Sequence, residues 1–326
     1  MTEPHGAIRL PARDIPVPAS VSKEAQAVIV NTPAQRVEYP ALDDPEAWRA
    51  MISAHDGAIA AMMAGRPAAP VKVQDRDVGG CRVYEITPDG LDDGDDRVYL
   101  DIHGGGFIWG GGKLCATMAT GTAIRMAARV WAVDYRMPPG HPFPAALDDC
   151  LAAYRALLGE RPPERIIVGG ASAGGNLAAA LILRARDEGL PLPAAAVLMT
   201  PGADLNERGD SHQVNLGLDP LIPGSGRPAF LLYAAGQDLG HPYLSPLYGD
   251  FTKGFPPAIL TTGTRDMLLS DTVLLHRALR RAGVPAELHV TEAAGHGGFM
   301  GMAPEDQEIL REVRRFADAH WNKESR

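Results

Sequence analysis

The sequence predicts an α/β fold in which helices cover both faces of a mostly parallel sheet. From residue 71 onward, short β-like runs alternate with stretches of helical composition, which is the pattern of βα units. The runs at 165–169 and 194–199 are almost continuously apolar, as expected for strands that are buried on both faces. Ligands of such sheets bind at the carboxyl ends of the strands. The functional residues are therefore expected in the loops that follow strands.

Local patterns define the individual elements along the chain. Residues 1–70 contain helical patterns without a convincing strand; one helix begins after Asp44, with Pro45 at its first position, and ends at Gly65. A hairpin is predicted from the runs 71–73 and 81–84 around a Gly-Gly pair. Further strands are predicted at 97–102, 130–135, 165–169, 194–199, 258–262 and 286–290. Helices are predicted at 116–128, 145–158, 175–187, 271–282 and 304–320.

The composition excludes several classes of protein. The 326 residues are 45% hydrophobic and 22% charged, which is the balance of an ordinary globular protein. Lys and Arg number 31 against 40 Asp and Glu, a formal net charge of -9, and no basic run is long enough to follow a phosphate backbone. Nucleic acid is therefore not an expected partner. The cysteines Cys81, Cys115 and Cys150 form no CxxC pair, which disfavours disulfides and a zinc site.

The sequence gives no sign of export or membrane insertion. Its beginning lacks a basic start followed by an apolar run, and nowhere do about eighteen apolar residues follow one another. We expect a cytoplasmic protein without stable membrane association. The oligomeric state stays open, and a homodimer is compatible with the sequence.

A Gly-x-Ser-x-Gly motif at residues 170–174 supplies a candidate nucleophile. The motif alone is weak, but it lies directly between the strand predicted at 165–169 and an apolar helix. In a sharp strand-to-helix turn, small flanking residues make room for the backbone, and the serine hydroxyl projects above the sheet. The following helix adds positive partial charge at the same place. Ser172 is therefore predicted to be a nucleophile.

A serine nucleophile requires a base, and the base requires an acid that orients it. In this type of sheet both partners follow later strands, with the acid first. Asp266 and His296 each follow a predicted strand in that order. Asp271 is a rival acid, but it stands at the start of a helical pattern and suits a helix N-terminus. The other histidines, such as His212 in a polar segment, have ordinary structural interpretations.

Glycines after an early strand supply the third component. Residues 104–106, at the end of the strand predicted at 97–102, are all glycine. Their backbone N–H groups are free of bulky side chains, as required for donors that stabilise a tetrahedral oxyanion. The oxyanion hole is assigned to the amides of Gly104, Gly105 and Ala173.

No cofactor or metal is expected. The glycine run at 110–112 continues with Lys113 and Leu114, where a phosphate-binding loop needs Ser or Thr after the lysine. The chain contains no GxGxxG, no HExxH and no calcium loop. The chemistry predicted for Ser172 needs none of these groups.

Together the motifs resemble the hormone-sensitive-lipase-like branch of the α/β-hydrolase family. They occur in the family's order: HGGGF at 103–107, DYR at 134–136, HPFPAALDD at 141–149, GASAGGN at 170–176, RDMLLSD at 265–271 and GHGGF at 295–299. The resemblance implies the α/β-hydrolase fold, with an eight-stranded, mostly parallel sheet flanked by helices and a helical cap. It also implies hydrolysis of carboxylic esters. The segment 243–250 is similar to bacterial members described as esterases or lactone hydrolases.

The resemblance also divides the chain. Residues 1–70 are expected to form the N-terminal part of the cap, and residues 71–326 the α/β-hydrolase catalytic domain. A cap insertion is expected at about 201–250, because this polar segment is rich in Gly and Pro and too long for an ordinary connection.

The expected function is a serine carboxylester hydrolase that acts through an acyl-enzyme on small to medium esters, lactones included. Two alternatives stay open: a non-catalytic small-ligand-binding protein of the same fold, and an amidase or acyltransferase that uses the same residues. Small substrates are expected because no long exposed apolar helix is apparent that could rest on a lipid surface. The N-terminal candidates for the pocket wall are Met51, Ile52, Met62 and Met63, which otherwise pack against the core. Candidates for the opposite wall are Phe230, Tyr233 and Tyr243.

Overall fold

One eight-stranded sheet forms the centre of the computed structural model, which describes residues 8, 11–32, 37–65 and 67–321. Its strands are β1 (Val71–Val78), β2 (Cys81–Pro88), β3 (Val98–Ile102), β4 (Arg129–Asp134), β5 (Ile166–Ala171), β6 (Ala195–Met199), β7 (Ala258–Gly263) and β8 (Ala286–Thr291). They lie in the order β1-β2-β4-β3-β5-β6-β7-β8. The pairs β1–β2 and β2–β4 are antiparallel, and all other neighbours are parallel. The predicted eight-stranded, mostly parallel sheet is confirmed.

Helices surround this sheet in the described part of the chain. They are α1 (Lys23–Asn31), α2 (Pro45–Ala64), α3 (Lys113–Met126), α4 (Ala145–Glu160), α5 (Ala173–Asp187), α6 (Ser211–Val214), α7 (Arg227–Ala234), α8 (Leu269–Arg281) and α9 (Pro304–Trp321). Apolar side chains of α4, α5 and α8 pack on one face of the sheet, and those of α3 and α9 pack on the other. Because side chains alternate along a strand, Leu100 belongs to the first cluster and Tyr99 to the second.

Helix α2 is attached to the rest of the molecule by a buried tryptophan. The carboxylate of Asp44 accepts the N–H of Ala47 at 3.0 Å, so α2 begins at the predicted cap, and it ends at Gly65 as predicted. Trp48 on α2 is fully buried against Ile108, which lies in the loop after β3, and against Ala229 on α7. Through this indole, α2 is fixed to the carboxyl end of the sheet.

The predicted elements are all present, and the differences lie at their ends. Strand β5 continues to Ala171 and helix α5 begins at Ala173, whereas the predicted strand ends at residue 169 and the predicted helix begins at 175. The flanking glycines of the motif are thus part of regular structure, and a single residue forms the turn. Helix α3 begins at Lys113, three residues earlier than predicted.

The predicted cap insertion contains the short helices α6 and α7. No helix in the described ranges combines the length and the apolar character that crossing a bilayer requires.

Candidate active site

Ser172 occupies the sharp turn between β5 and α5. Its backbone has φ 58° and ψ −120°, a conformation that residues with side chains rarely adopt. The turn packs closely on the end of β3: a Cβ on Gly174 would come within 1.9 Å of the Ile102 carbonyl oxygen. The amide of Ser172 donates to the carbonyl of Met199 at 2.9 Å and so ties the turn to β6. The predicted strand–turn–helix setting is present, and Ser172 lines a cavity.

Asp266 and His296 come from the loops that follow the neighbouring strands β7 and β8. Nδ1 of His296 lies 3.1 Å from Oδ1 of Asp266. His296 lines the same cavity as Ser172, and Asp266 is fully buried. The structure therefore brings the serine and the histidine to one cavity and pairs the histidine with the aspartate that the sequence favoured.

The carboxylate of Asp266 is held by several donors besides His296. Its Oδ1 accepts the N–H of Leu268 at 2.8 Å, and its Oδ2 accepts the hydroxyl of Thr262 at 2.8 Å. The hydroxyl of Thr200 also donates to Oδ2, and its oxygen lies 2.9 Å from Nδ1 of His296. These bonds fix the carboxylate in one orientation, as the geometry of a histidine-orienting acid requires.

The charges of the two residues shift both pKa values. Burial alone would raise the pKa of Asp266, but the charge and hydrogen bond of His296, with the Thr200 hydroxyl and the Leu268 N–H, lower it below its ordinary range. Burial alone would lower the pKa of His296, but the charge and hydrogen bond of Asp266 and the charge of Asp219 raise it. The pair thus favours an ionised aspartate and makes the imidazole a stronger base.

The glycine loop after β3 lies beside the serine. A Cβ on Gly104 would be 3.4 Å from Cβ of Ser172, and Gly105 and Ala173 both line the cavity. In the described ranges, the amides of residues 104–106 donate to no protein acceptor. Ala173 is the first residue of α5, so its N–H has no partner within that helix. The three amides assigned from the sequence therefore stand next to Ser172 as available donors.

The shape of this loop depends on the absence of side chains. A Cβ on Gly105 would come within 2.3 Å of the Trp109 carbonyl oxygen. The carbonyl of Gly105 accepts the N–H of Trp109 at 2.9 Å, which closes the turn. Tyr135 donates its hydroxyl to the carbonyl of His103 at 3.0 Å, and the two rings stack with centroids 4.1 Å apart. The loop is thereby held rigidly at the mouth of the turn that carries Ser172.

The cavity has a volume of about 510 Å³. Both segments predicted as cap contribute to its wall. The N-terminal segment supplies Val37, Tyr39 and His55. The insertion supplies apolar and polar side chains, among them Leu205, Glu207, His212, Leu216, Leu221, Ile222 and Phe230. The wall is mainly apolar, with one carboxylate among the described residues that line it.

None of the four N-terminal candidates lines the cavity, and two of them take the alternative position against buried residues. Met51 and Ile52 pack around the buried Trp48 and do not line the cavity, and Met62 is 62% exposed. Met63 is also absent from the wall. The cavity-facing side of α2 is instead represented by His55, whose ring stacks on Trp109.

Of the three aromatic candidates for the opposite wall, Phe230 lines the cavity. Tyr233 is fully buried and stacks on Phe107 with ring centroids 4.2 Å apart. Tyr243 lies outside the wall and donates its hydroxyl to Asp187 at 2.8 Å.

The rival acid Asp271 has a different partner. It lies in the first turn of α8, as predicted, but it is buried, and its Oδ1 lies 2.9 Å from Nε2 of His212. Its Oδ2 accepts the N–H of Asp204 at 2.9 Å. The interpretation of Asp271 as a simple helix-start residue is therefore incomplete, and His212 is a buried ion-pair partner that also lines the cavity.

Thr200 and Asp219 also belong to the site, although no motif in the sequence indicates them. Thr200 follows β6 directly, and its position after a strand was the available signal. Asp219 lies within the polar insertion and accepts the N–H of His296 at 2.9 Å. No spacing pattern in the sequence connects Asp219 with the loops of Asp266 and His296.

Comparison with known proteins agrees with this geometry. The family profile of the α/β hydrolase fold matches residues 99–300. An acetyl-hydrolase of Streptomyces hygroscopicus is 39% identical over 210 residues, which are 64% of this chain and 69% of that protein. The structure of esterase E25 matches with a TM-score of 0.85 at 36% identity, covering 96% of this chain and 99% of that one. An esterase from the bacterial hormone-sensitive lipase family matches with a TM-score of 0.78 at 30% identity, covering 92% and 99%.

The profile match extends over more than half of the chain, and the structural matches extend over nearly all of it. The residues that the profile matches include Ser172, Asp266 and His296. The chain belongs to the hormone-sensitive-lipase-like branch of the α/β-hydrolase family, as its motifs predicted.

Proposed function

We propose that the protein is a serine carboxylester hydrolase that acts on small to medium esters, lactones included. One observation carries this proposal: Ser172 stands in a strained turn at a cavity that also exposes His296, and the buried Asp266 holds the imidazole. The names of the relatives, an acetyl-hydrolase and two esterases, support the same reaction class.

The reaction begins with proton transfer from the serine. Nε2 of His296 accepts the proton of the Ser172 hydroxyl while Oγ attacks the ester carbonyl carbon. Nδ1 keeps its proton toward Asp266, which fixes the tautomer and stabilises the imidazolium that forms. The raised pKa of His296 strengthens it as the base for this step.

The carbonyl oxygen becomes an oxyanion when Oγ attacks. The amides of Gly104, Gly105 and Ala173 donate to it, and each such donor contributes roughly 3 kcal/mol to transition-state stabilisation in enzymes of this kind. His296 then gives its proton to the leaving alkoxide, and an acyl group stays on Ser172. Water, deprotonated by the same imidazole, attacks the acyl carbon; the bond from this carbon to Oγ breaks, Oγ takes the proton back from His296, and the acid leaves.

The cavity supports the choice of substrate class. Its volume of about 510 Å³ suits a compact ligand, and its apolar wall suits the acyl chain and alcohol of a neutral ester. The presence of His296 with its paired acid favours catalysis over a binding function of the same fold. No observation on the described residues specifically favours amide hydrolysis or acyl transfer.

A p-nitrophenyl ester series tests the proposal. At concentrations below micelle formation, kcat/KM should be highest for acyl chains of about two to six carbons and fall steeply by about ten to twelve, because a longer chain exceeds the cavity. A panel of simple lactones extends the test to cyclic esters. A maximum at sixteen carbons with activation at an oil interface would contradict the substrate class, and no turnover of any ester would contradict the reaction class.

A further inference from the structure

A buried carboxylate in the insertion connects the two loops that carry Asp266 and His296. Asp219 lies between α6 and α7 and has no exposed surface. Its Oδ2 accepts the N–H of His296 at 2.9 Å and the N–H of Met267 at 3.0 Å. One oxygen atom therefore bonds the backbone of the histidine and the backbone of the residue after the acid.

The second oxygen of this carboxylate bonds its own loop. Oδ1 of Asp219 accepts the N–H of Leu221 at 2.9 Å and the N–H of Ile222 at 3.0 Å. Both of these residues line the cavity. The carboxylate thus receives four backbone donors in total, two from the cavity wall and two from the catalytic loops, so its orientation is fully determined.

Neighbouring residues of the insertion reinforce this attachment. The side-chain NH₂ group of Asn215 donates to the backbone carbonyl of Asp266 at 2.9 Å. The hydroxyl of Ser211 donates to the carbonyl of Met267 at 2.7 Å. The insertion therefore contacts the loop of the acid through three side chains, and Asp219 alone of the three also bonds His296.

The insertion packs closely against the residue before His296. A Cβ on Gly295 would come within 2.9 Å of Cδ of Pro220 and 3.5 Å of Oδ1 of Asp219. The residue before His296 must therefore be small for Asp219 to reach the histidine amide.

Asp219 also places a negative charge beside the imidazole. Burial raises the pKa of Asp219, and the charge of His296 acts in the opposite direction. Two carboxylates act on His296 and raise its pKa: Asp266 at Nδ1 and Asp219 on the backbone side. The other titratable groups that share the cavity with His296 are Tyr39, His55, Glu207 and His212.

We infer that Asp219 is a positioning residue for the reaction: its carboxylate holds the loops of Asp266 and His296 at a fixed separation, and its charge stabilises the imidazolium form of His296. This inference rests on the proposed function, because it assigns Asp219 an effect through the histidine base. It also gives the insertion a second role, since the segment that forms the cavity wall fixes the catalytic loops as well.

Asp306 provides a matched control. It is a largely buried aspartate that accepts the N–H of Phe299 at 2.8 Å and the N–H of Ala303 at 3.2 Å, in the loop that begins at His296. Its carboxylate likewise holds backbone donors of this loop, but it is not among the charges that raise the pKa of His296, which are those of Asp266 and Asp219. Asparagine at either position replaces an acceptor oxygen by an NH₂ group that must face backbone donors.

The experiment compares Asp219→Asn, Asp306→Asn, Ser172→Ala and the wild type on p-nitrophenyl butyrate from pH 5 to 9. We expect Asp219→Asn to lower kcat about 10- to 100-fold, because the histidine loop moves relative to the serine. We also expect the acid limb of its kcat/KM profile to move to lower pH by about one unit, because the imidazolium loses a neighbouring negative charge. Asp306→Asn should lower the melting temperature and leave the acid limb in place.

Each outcome decides one claim. If Asp219→Asn folds and its acid limb does not move, the role of Asp219 is overturned. The proposed function stays intact in that case, provided that the wild type is active and Ser172→Ala is inactive. Full activity of Ser172→Ala would overturn the proposed function itself. Where Asp219→Asn does not fold, Asp219→Glu replaces it: retention of the wild-type acid limb with a lower kcat supports the role, and a wild-type kcat overturns it.

Discussion

Two buried aspartates that stand five residues apart allow chemistry to be separated from stability. In Asp266→Asn, the imidazolium that forms at His296 loses the negative charge that stabilises it, and an NH₂ group turned toward Nδ1 imposes the tautomer that has no free acceptor for the Ser172 proton. The loss expected for this change is about 10⁴-fold in kcat, which corresponds to roughly 5.4 kcal/mol at ~1.36 kcal/mol per tenfold.

In Asp271→Asn, the same chemical change affects another pair. Asp271 is 1% exposed and bonds the ring of His212 and the N–H of Asp204. When His212 is protonated, breaking this buried pair costs about 3–5 kcal/mol of folding stability, because the imidazolium loses its partner. We therefore expect a large drop in melting temperature, far beyond the effect of a lost helix-start interaction, and less than about a tenfold change in kcat of the folded protein.

The measurement is steady-state hydrolysis of p-nitrophenyl butyrate together with thermal melts on both variants. Asp266→Asn should lose turnover and Asp271→Asn should lose stability. The reverse ranking of kcat would show that Asp271 is the orienting acid and would refute the assignment that rests on the 3.1 Å contact between Asp266 and His296.

Further predictions concern the same hydrogen bonds. The acid limb of the wild-type kcat/KM profile should have its midpoint above about pH 6.5, because the pKa of His296 is raised and the base acts only when it is neutral. A midpoint below about pH 6 would contradict the coupling of His296 to Asp266. Thr200→Val should lower kcat about tenfold or more, because the hydroxyl of Thr200 bonds both Asp266 and His296. Thr262→Val removes a donor to the same carboxylate oxygen and should have a smaller effect on kcat. Equal losses of kcat in the two valine variants would show that the contact of Thr200 with the imidazole is unimportant.

Much of the site could be predicted because its residues follow strands. Ser172, Asp266 and His296 each stand in a loop at the carboxyl end of a parallel strand, and apolar runs locate those strands. The glycines after β3 could be recognised for a related reason, since their position after a strand and their lack of side chains are both visible in the sequence. Local pattern and chain order were sufficient for these residues.

The rest depends on contacts between distant segments. Asp219 reaches His296 across 77 positions of the chain, and His212 reaches Asp271 across 59. Their segment has no regular periodicity from which a facing direction could be derived. For Met51 and Ile52 the sequence left both the cavity wall and the core open, because the choice depends on which face of α2 packs against Ile108 and Ala229, and one helical pattern does not determine that.

Covalent labelling tests whether Ser172 is the residue that forms the acyl-enzyme. The reagent is diethyl p-nitrophenyl phosphate, which phosphorylates an activated serine. The protein is incubated with it, its intact mass is measured by mass spectrometry, and a digest locates the adduct. We expect one diethylphosphoryl group per chain, on the peptide that contains Ser172, in step with the loss of esterase activity, and no adduct on Ser172→Ala. Inactivation with the label on another residue, or an unlabelled protein that still hydrolyses p-nitrophenyl butyrate, would contradict this expectation.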